Sequence, residues 1–341
     1  MTSIRDVAHE VAMSTATVSR ALRGLPGVSE ENRSRVMAAA ERLGYVPSPS
    51  AAGLASGRTR TVAVVVPRVT QWFFGQVIQG AEEVLRGAGY DLLLYNLAGD
   101  RAARHRVFET SLLSKRADAV LVLGLRPSPE ELARLGSLGR PVAIVGAEAP
   151  GFFAVRIDDE RAGRLATEHL AALGHRRIGY VGGSPEVAVD FTAPPARLAG
   201  YRAVLAARHL EDDPALEDVG DFTVAGGTLA AHRLLALPRR PTAIFAASDE
   251  MAIGVLRAAR EHGLRVPEDL SVVGVDDHEL AAFFDLTTVR QPVREQGRVA
   301  AEQVLAQLQS GRPSASPPAS LVLPLELVER HTTASPARVP S

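Results

Sequence analysis

The sequence predicts an α/β protein, in which a small helical unit precedes a large core of parallel sheets flanked by helices. Three observations predict this fold class. The first 45 residues show only helical apolar spacing, whereas short apolar runs alternate with helical segments from residue 61 onward. That alternation is typical of parallel α/β layers. It runs through two rounds, which predicts two similar lobes with a ligand cleft at the carboxyl ends of their strands.

The N-terminal unit is expected to contain three helices. Ser3, Ser14 and Ser29 each precede a stretch with helical apolar spacing, so each can cap a helix, and Ser3 has Asp6 at capping-box distance. The predicted helices end near residues 11, 22 and 43, the last one before Gly44. Two short helices joined by a tight turn and supported by a third form a helix-turn-helix.

The second helix has a small polar surface, which is made by Thr15, Ala16, Ser19 and Arg20. Such a surface can enter a DNA major groove, where arginine reaches guanine and hydroxyl groups contact phosphates or base edges. The alternative interpretation is a plain surface helix of a three-helix bundle. Charge favours DNA: residues 1–60 hold eight arginines against five acidic residues, whereas the remainder holds 30 basic against 34 acidic residues. A basic end on a mildly acidic body is the asymmetry expected of a nucleic-acid binder.

The core consists of predicted strands and helices in alternation. Strands are expected at 61–67, 90–96, 119–124, 141–146, 177–183, 218–223, 243–248 and 271–277. Helices are expected up to about residue 87 and near 101–114, 129–138, 161–173, 197–208, 226–236 and 251–263. The continuous apolar runs are those of strands buried on both faces.

Composition excludes several other classes of protein. The chain has no cysteine, which excludes disulfides, cysteine-ligated zinc and a thiol nucleophile. No phosphate-binding loop, zinc-protease motif or nucleophile elbow is present, and the nine histidines are scattered. We therefore expect neither an enzyme nor a cofactor. A solute receptor of a transporter would need an export signal, and residues 1–15 contain no apolar stretch of that kind; the cytoplasm is the expected compartment.

The run IRDVAHEVAMSTATVSRALRGLPGVSEENRSRVMAAAERLGYVPS resembles the headpiece of lactose-repressor-type (LacI/GalR family) regulators. The resemblance implies phosphate contacts by Ser14, Thr17 and Ser19, and base contacts by Thr15, Ala16 and Arg20. Ala12 departs from the glycine that the family usually has in the turn. Because alanine in a left-handed conformation costs roughly 1 kcal/mol, a differently built turn is an open possibility.

Residues 48–60 resemble the hinge of that family, a segment that folds on the operator and wedges a leucine into the minor groove. Leu54 matches that leucine, and an apolar wedge is an established means of kinking DNA. Ala52 replaces a frequent arginine, and Gly53 lowers helix propensity further. The alternative is a simple linker with Leu54 packed on the core.

The core also resembles periplasmic sugar-binding proteins, and the motifs EHLAALGHRRIGYVGG, RLAGYRAVL, ASDEMAIGVLRAA, LSVVGVDD and LTTVRQP match the repressor family. The resemblance implies a site for a small-molecule effector formed by Phe73, Phe74, Arg197, Phe222, Ser248 and Asp276. Core packing is the alternative for the two adjacent phenylalanines, a surface ion pair for Arg197, and capping of the next helix for Asp276. Asp249 is expected to cap the helix that follows it.

These observations together predict a sequence-specific transcriptional regulator, with repression the expected mode. The expected domains are a headpiece at 1–47, a hinge at 48–60, a core at 61–330 and a tail at 331–341. Within the core, lobe 1 is expected at about 61–158 plus 290–320 and lobe 2 at about 159–289 plus 321–330. The expected partners are a pseudo-palindromic operator, a sugar-like effector and a second copy of the chain, with no membrane or metal. The effector, the operator and the direction of the response stay open.

Overall fold

The computed structural model describes residues 2–45, 58–109, 112–184, 193–310 and 320–337. It divides into two compact units, residues 1–60 and 61–341. The first is the predicted helical unit and the second is the predicted α/β core. Among the residues described, no helix combines the length and the apolar character needed to cross a membrane.

The N-terminal unit has the three predicted helices, α1 (Ile4–Glu10), α2 (Thr15–Leu22) and α3 (Glu30–Arg42). One small apolar core joins them, and its fully buried members come from all three helices: Val7, Val18 and Val36. The apolar spacing read from the sequence therefore gives one common buried face. This unit has a hydrophobic core of its own.

Serine caps begin the second and third helices, as the sequence predicts. The Ser14 hydroxyl accepts a hydrogen bond from the Thr17 backbone N–H at 3.1 Å, and Ser29 caps α3 in the same way. In the turn between α1 and α2, Ala12 has a φ of 53°. The alanine thus adopts the left-handed conformation itself. The possibility of a differently built turn is not realised, and the protein accepts the cost of a β-carbon there.

Lobe 1 of the core contains a six-stranded parallel sheet in the order β11-β5-β4-β3-β1-β2. Its strands are β1 (Thr61–Val66), β2 (Asp91–Asn96), β3 (Ala119–Leu123), β4 (Val142–Val145), β5 (Phe153–Arg156) and β11 (Leu321–Val322). Its helices are α4 (Trp72–Gly87), α5 (Arg101–Glu109), α6 (Leu112–Arg116), α7 (Pro129–Ser137) and α13 (Val293–Ser310).

Lobe 2 contains a second six-stranded sheet in the order β12-β10-β9-β8-β6-β7, in which only the pair β10–β12 is antiparallel. Its strands are β6 (Ile178–Gly182), β7 (Glu217–Val219), β8 (Ala243–Ala246), β9 (Ser271–Asp276), β10 (Thr287–Arg290) and β12 (Glu326–Val328). Its helices are α8 (Asp159–Ala172), α9 (Ala193–Ala207), α10 (Val224–Leu235), α11 (Asp249–Glu261) and α12 (Glu279–Phe283), with a 3₁₀ turn at Pro214–Leu216.

The two sheets share one topology, as the two rounds of alternation predict. In each, the strand order reverses between the first and third strands, β1 and β3 in lobe 1 and β6 and β8 in lobe 2. The central strands are buried on both faces. Ligands of open α/β sheets bind outside the carboxyl ends of the strands at such reversal points. The topology therefore predicts that the carboxyl ends of the strands of both sheets face one cleft.

Three pairs of helices pack closely because each helix of a pair contributes a glycine. An added β-carbon at Gly80 of α4 would lie 2.0 Å from the Arg294 carbonyl oxygen, and one at Gly297 of α13 would lie 1.9 Å from that of Val77. The pairs α8–α9 and α10–α11 repeat this arrangement, with glycines at 163, 200, 227 and 254. Side chains at these positions would force the backbones apart.

The C-terminal residues correct two of the predicted boundaries. Strand β11, expected in lobe 2, extends the sheet of lobe 1 because its backbone pairs with β5. The segment expected to be a tail from residue 331 is bound to lobe 2 instead: the backbone carbonyl of Thr332 accepts from the Val272 N–H at 2.7 Å. The buried ring of His175 contacts the Ala334 carbonyl oxygen at 2.9 Å. That histidine therefore has a structural role.

Candidate functional sites

The surface of α2 is exposed where the sequence predicts DNA contacts. Ser14, Thr15, Ala16 and Arg20 are exposed, whereas Thr17 and Ser19 are half-buried. Val18, on the opposite side, is fully buried. The six predicted residues therefore lie on one short helix or at its N-cap position, and four of them are exposed.

Two of these residues are already engaged with each other. The Ser14 hydroxyl lies 2.9 Å from the Thr17 hydroxyl, besides accepting from the Thr17 amide. A change at Ser14 would thus disturb the start of the helix, and Ser19 is the better probe of a phosphate contact. Leu54, the predicted wedge, lies outside the described residues, and its role stays a prediction.

The second candidate site is a cavity between the two lobes, with about 370 Å³ of empty space that is partly open to solvent. It lies at the carboxyl ends of the strands, as the fold predicts. Its lining residues come from both lobes and from the segments that connect them: Phe73, Gly146, Ile157, Asp159, Ala193, Arg197, Phe222, Asp276, Gln291 and Gln296. Four of the six predicted effector contacts, Phe73, Arg197, Phe222 and Asp276, line this cavity.

Arg197 is the centre of a buried polar network in this cavity, and its side chain is only 5% exposed. Its Nε donates to Asp159 Oδ1 at 2.9 Å, and its Nη1 donates to the Ala247 carbonyl oxygen at 2.5 Å. Asp276 Oδ1 lies 3.7 Å from the same Nη1. The alternative of a surface ion pair is therefore wrong, because both partners of the arginine are buried acidic groups.

Helix packing fixes the position of this arginine. An added β-carbon at Gly163 would lie 2.1 Å from the Arg197 carbonyl oxygen. The glycine thus lets α8, which carries Asp159, approach α9, which carries Arg197. The network continues on the other side, where Gln291 Nε2 donates to Asp276 Oδ1 at 2.5 Å and Gln296 Nε2 donates to Gln291 Oε1 at 3.0 Å.

Two carboxyl groups share one guanidinium group in this network. Burial raises the pKa of Asp276 to about 6, although the positive charge of Arg197 opposes the rise. Burial also raises the pKa of Asp159, against the same opposing charge. The cavity wall therefore offers both a donor-rich cation and carboxyl oxygens that can accept from hydroxyl groups.

Strained backbone marks two of the loops that line the cavity. Asp221 and Phe222 both have positive φ, at 48° and 55°, and Asp276 has a φ of 124°. Residues with side chains rarely adopt such angles, and strain of this kind concentrates at binding sites. The Asp221 carboxylate accepts from the Ser184 N–H at 3.0 Å, which holds the loop of Phe222 against the end of β6.

Three predicted roles differ in the structure. Phe74 is 1% exposed and packs in the core of lobe 1 rather than lining the cavity, since it faces the sheet from α4. Ser248 is buried and caps α11 through the Met251 amide, so it is not among the cavity-lining residues. Asp249 is not the cap; it is fully buried and accepts from the Thr288 hydroxyl and the His278 amide. Asp276 does not cap the next helix, which His278 does.

Six wall residues were not among the predicted effector contacts: Gly146, Ile157, Asp159, Ala193, Gln291 and Gln296. Two of them carried a signal. Gln291 belongs to the LTTVRQP motif, and Asp159 begins a helix directly after an apolar segment. Gln296 carried none, because its helix crosses back to lobe 1 from a strand of lobe 2.

A helix-turn-helix with exposed polar residues and a two-lobed core, whose interlobe cavity holds a buried network of charged groups, define a ligand-responsive DNA-binding regulator. Residues 3–48 match the family described as bacterial regulatory proteins of the lacI family, and residues 167–333 match a periplasmic binding protein-like domain.

Full-length relatives agree with both matches. The repressor CytR of Escherichia coli K12 is 36% identical over 336 residues, which cover 97% of this chain and 96% of CytR. The CelR–cellobiose complex has a TM-score of 0.70 at 32% identity, covering 97% of this chain and 100% of that one. The lac repressor dimer bound to operator and the anti-inducer ONPF has a TM-score of 0.83 at 28% identity, covering 98% and 99%. The chain belongs to the lacI family and is a transcriptional regulator, which confirms the resemblance and the fold class predicted from the sequence.

Proposed function

We propose that the protein is a repressor that binds a pseudo-palindromic operator as a homodimer and responds to a sugar or sugar derivative in the interlobe cavity. The observation that carries the proposal is the Arg197 network, which presents donors and acceptors together in the interlobe cavity. Sugars need both, because each hydroxyl group donates and accepts. Phe73 and Phe222 supply apolar ring surface in the same cavity. A similar core, that of CelR, was solved with cellobiose.

The dimer is supported by an exposed apolar surface on lobe 2. Phe283 is 78% exposed, Leu280 44% and Phe284 38%. The two phenylalanine rings contact each other edge to face at 5.1 Å. Exposed aromatic clusters of this kind mark interfaces, and the similar lac repressor was solved as an operator-bound dimer. Two-fold protein symmetry would then require two-fold symmetry in the operator. In this proposal the protein catalyses no reaction and acts in the cytoplasm, where the operator is.

A thermal-shift screen tests the effector part of the proposal. Cellobiose, ribose and other sugars are compared with nucleobases, and a ligand at 100 times its Kd should add about 2.7 kcal/mol of stability. Phe222→Ala should abolish the shift but keep operator affinity in the absence of effector. If no sugar stabilises the protein and a nucleobase does, the sugar assignment is wrong.

A binding-site selection tests the DNA part. Arg20→Ala should cost about 1–3 kcal/mol at one position of each half-site and relax the base preference there. Ser19→Ala is the control, because loss of a phosphate contact should weaken all sequences about equally. Identical preferences for Arg20→Ala and the parent would refute the assignment of α2 as the recognition helix.

A further inference from the structure

Trp72, the first residue of α4, connects the two lobes at the edge of the cavity. Its helix belongs to lobe 1, where its side chain packs against the apolar core. Its polar contacts are with lobe 2. The indole Nε1–H donates to the Glu279 carboxylate, and the indole ring lies on the His278 ring with centroids 4.6 Å apart.

A third contact involves the main chain of the same residue. Gln71, at the N-cap position of α4, supplies no side-chain cap. The carboxylate of Glu250, in the first turn of α11 in lobe 2, lies near enough to the Trp72 backbone N–H for that amide to lower its pKa. The positive end of the α4 dipole favours a carboxylate at this place. An acidic residue of lobe 2 therefore faces the N-terminus of a helix of lobe 1.

The electrostatics of Glu250 agree with a functional contact. Burial raises its pKa to about 7, the charge of Asp276 acts in the same direction, and the Trp72 amide opposes both. The amide thus favours the charged form that makes the stronger hydrogen bond. Burial lowers the pKa of His278, so its ring is neutral at pH 7, and its Nδ1 accepts from the Leu280 N–H at 2.9 Å.

These contacts are directly adjacent in sequence to residues that line the cavity. Trp72 precedes Phe73, and His278 follows Asp276 by two residues. Separation of Trp72 from its partners would therefore move one wall residue of each lobe.

We propose that Trp72 is a positioning residue that, with Glu250, His278 and Glu279, forms an interlobe latch holding the cavity closed. The latch sets the ratio of closed to open core without touching the effector. The latch depends only on contacts between the lobes, so it does not require that the effector be a sugar. A ligand that needs the closed core would bind in proportion to the closed fraction.

The protein provides its own probe, because Trp72 is its single tryptophan. The experiment measures acrylamide quenching of tryptophan emission in the full chain, without effector, and hydrogen exchange of residues 193–197 and 220–223. Those segments line the cavity on lobe 2 and do not include the latch residues. Glu279→Leu and Glu250→Leu remove the acceptors, whereas Glu279→Gln keeps an oxygen that can accept. Glu268→Leu, an exposed residue of lobe 2, is the matched control.

Both leucine variants should increase quenching and speed exchange in both segments. Loss of a charge-assisted hydrogen bond should shift the closed-to-open ratio by ~10-fold. Glu279→Gln, which keeps an acceptor but loses the charge, should fall between the parent and Glu279→Leu, whereas Glu268→Leu should match the parent. Unchanged quenching in the leucine variants would overturn the proposal. So would increased quenching with unchanged exchange at 193–197 and 220–223, since Trp72 would then have a local packing role only.

Discussion

Arg197→Met is expected to destabilise the protein far more than removal of an ordinary arginine. Methionine approximately conserves the volume, but it leaves two buried carboxyl groups, Asp159 and Asp276, without their cation. It also leaves the Ala247 carbonyl oxygen without its donor. Breaking a buried ion pair by removing one partner costs about 3–5 kcal/mol. For the core at residues 61–341, with an unfolding entropy of about 2.1 cal/mol/K per residue, that corresponds to a fall in melting temperature of about 5–9 °C.

Urea denaturation of the full chain, followed by circular dichroism at pH 8, measures this effect. Arg202→Met is the matched control on the same helix, because its ion pair with Glu217 is exposed, with 54% of the arginine side chain accessible. Exposed pairs contribute about 0–1 kcal/mol. Asp159→Asn should recover part of the loss in the Arg197→Met background, since it removes one of the two uncompensated charges.

Two results would refute this reasoning. One is an Arg197→Met variant no less stable than Arg202→Met, which would mean that the buried carboxyl groups do not need the arginine. The other is a double variant whose loss equals the sum of the two single losses, which would mean that Arg197 and Asp159 do not interact energetically. Because unpaired carboxyl groups can protonate, the loss should be smaller at pH 5 than at pH 8.

Three further predictions concern pH, helix packing and coupling. The pKa of Asp276 rises from 3.8 in the unfolded chain to about 6 in the folded one, so the folded state binds more protons between these values. The free energy of unfolding should therefore fall as pH rises through about 4–6, by up to ~3 kcal/mol. An Asp276→Asn variant with an unaltered pH profile would contradict this. Gly297→Ala should lower the free energy of unfolding in urea by about 1–3 kcal/mol, because its β-carbon would meet the Val77 carbonyl. Gly75→Ala in α4 is the control: it has open space around it and should be neutral or stabilising by up to ~1 kcal/mol. Equal effects of the two substitutions would show that close helix packing at Gly297 does not matter. Leu54→Ala should lower operator affinity and leave effector affinity unchanged. It should also reduce the coupling between effector and operator binding, which is typically ~1–3 kcal/mol in allosteric proteins. Operator titrations, with and without effector, that match those of the parent would show that the hinge is only a tether.

The sequence was most informative where local chemistry alone determines structure. The serine caps of α2 and α3 and the apolar strands β1 and β3 depend on neighbours in sequence or on simple burial, and they were predicted correctly. Arg197 was also found, because its motif marks it. Its partners were harder to find, since Asp159 lies 38 residues away on another helix and Asp276 lies at the end of strand β9.

The failures have a common physical origin. Ser248 and Asp249 are adjacent polar residues before a helix, and either can cap it from sequence alone. Contacts with residues distant in sequence determine which of them is the cap. Asp249 is buried and accepts a hydrogen bond from Thr288, so Ser248 caps the helix. Phe74 likewise differs from Phe73 only in the face of α4 that it occupies.

Residues 293–332 complete both lobes, and this affects the order in which the parts of the protein can fold during synthesis. Helix α13, which packs on α4 through Gly80 and Gly297, begins 206 residues after α4 ends. At about 5–20 residues per second, the ribosome needs about 10–40 s to cover that interval. Throughout it, α4 has no helix to cover its glycine face, and lobe 2 lacks β12 and Thr332. The headpiece, whose contacts are all local, can fold long before. A nascent chain should therefore carry a finished DNA-reading unit ahead of a core that stays open to chaperones until residues 293–332 have been synthesised.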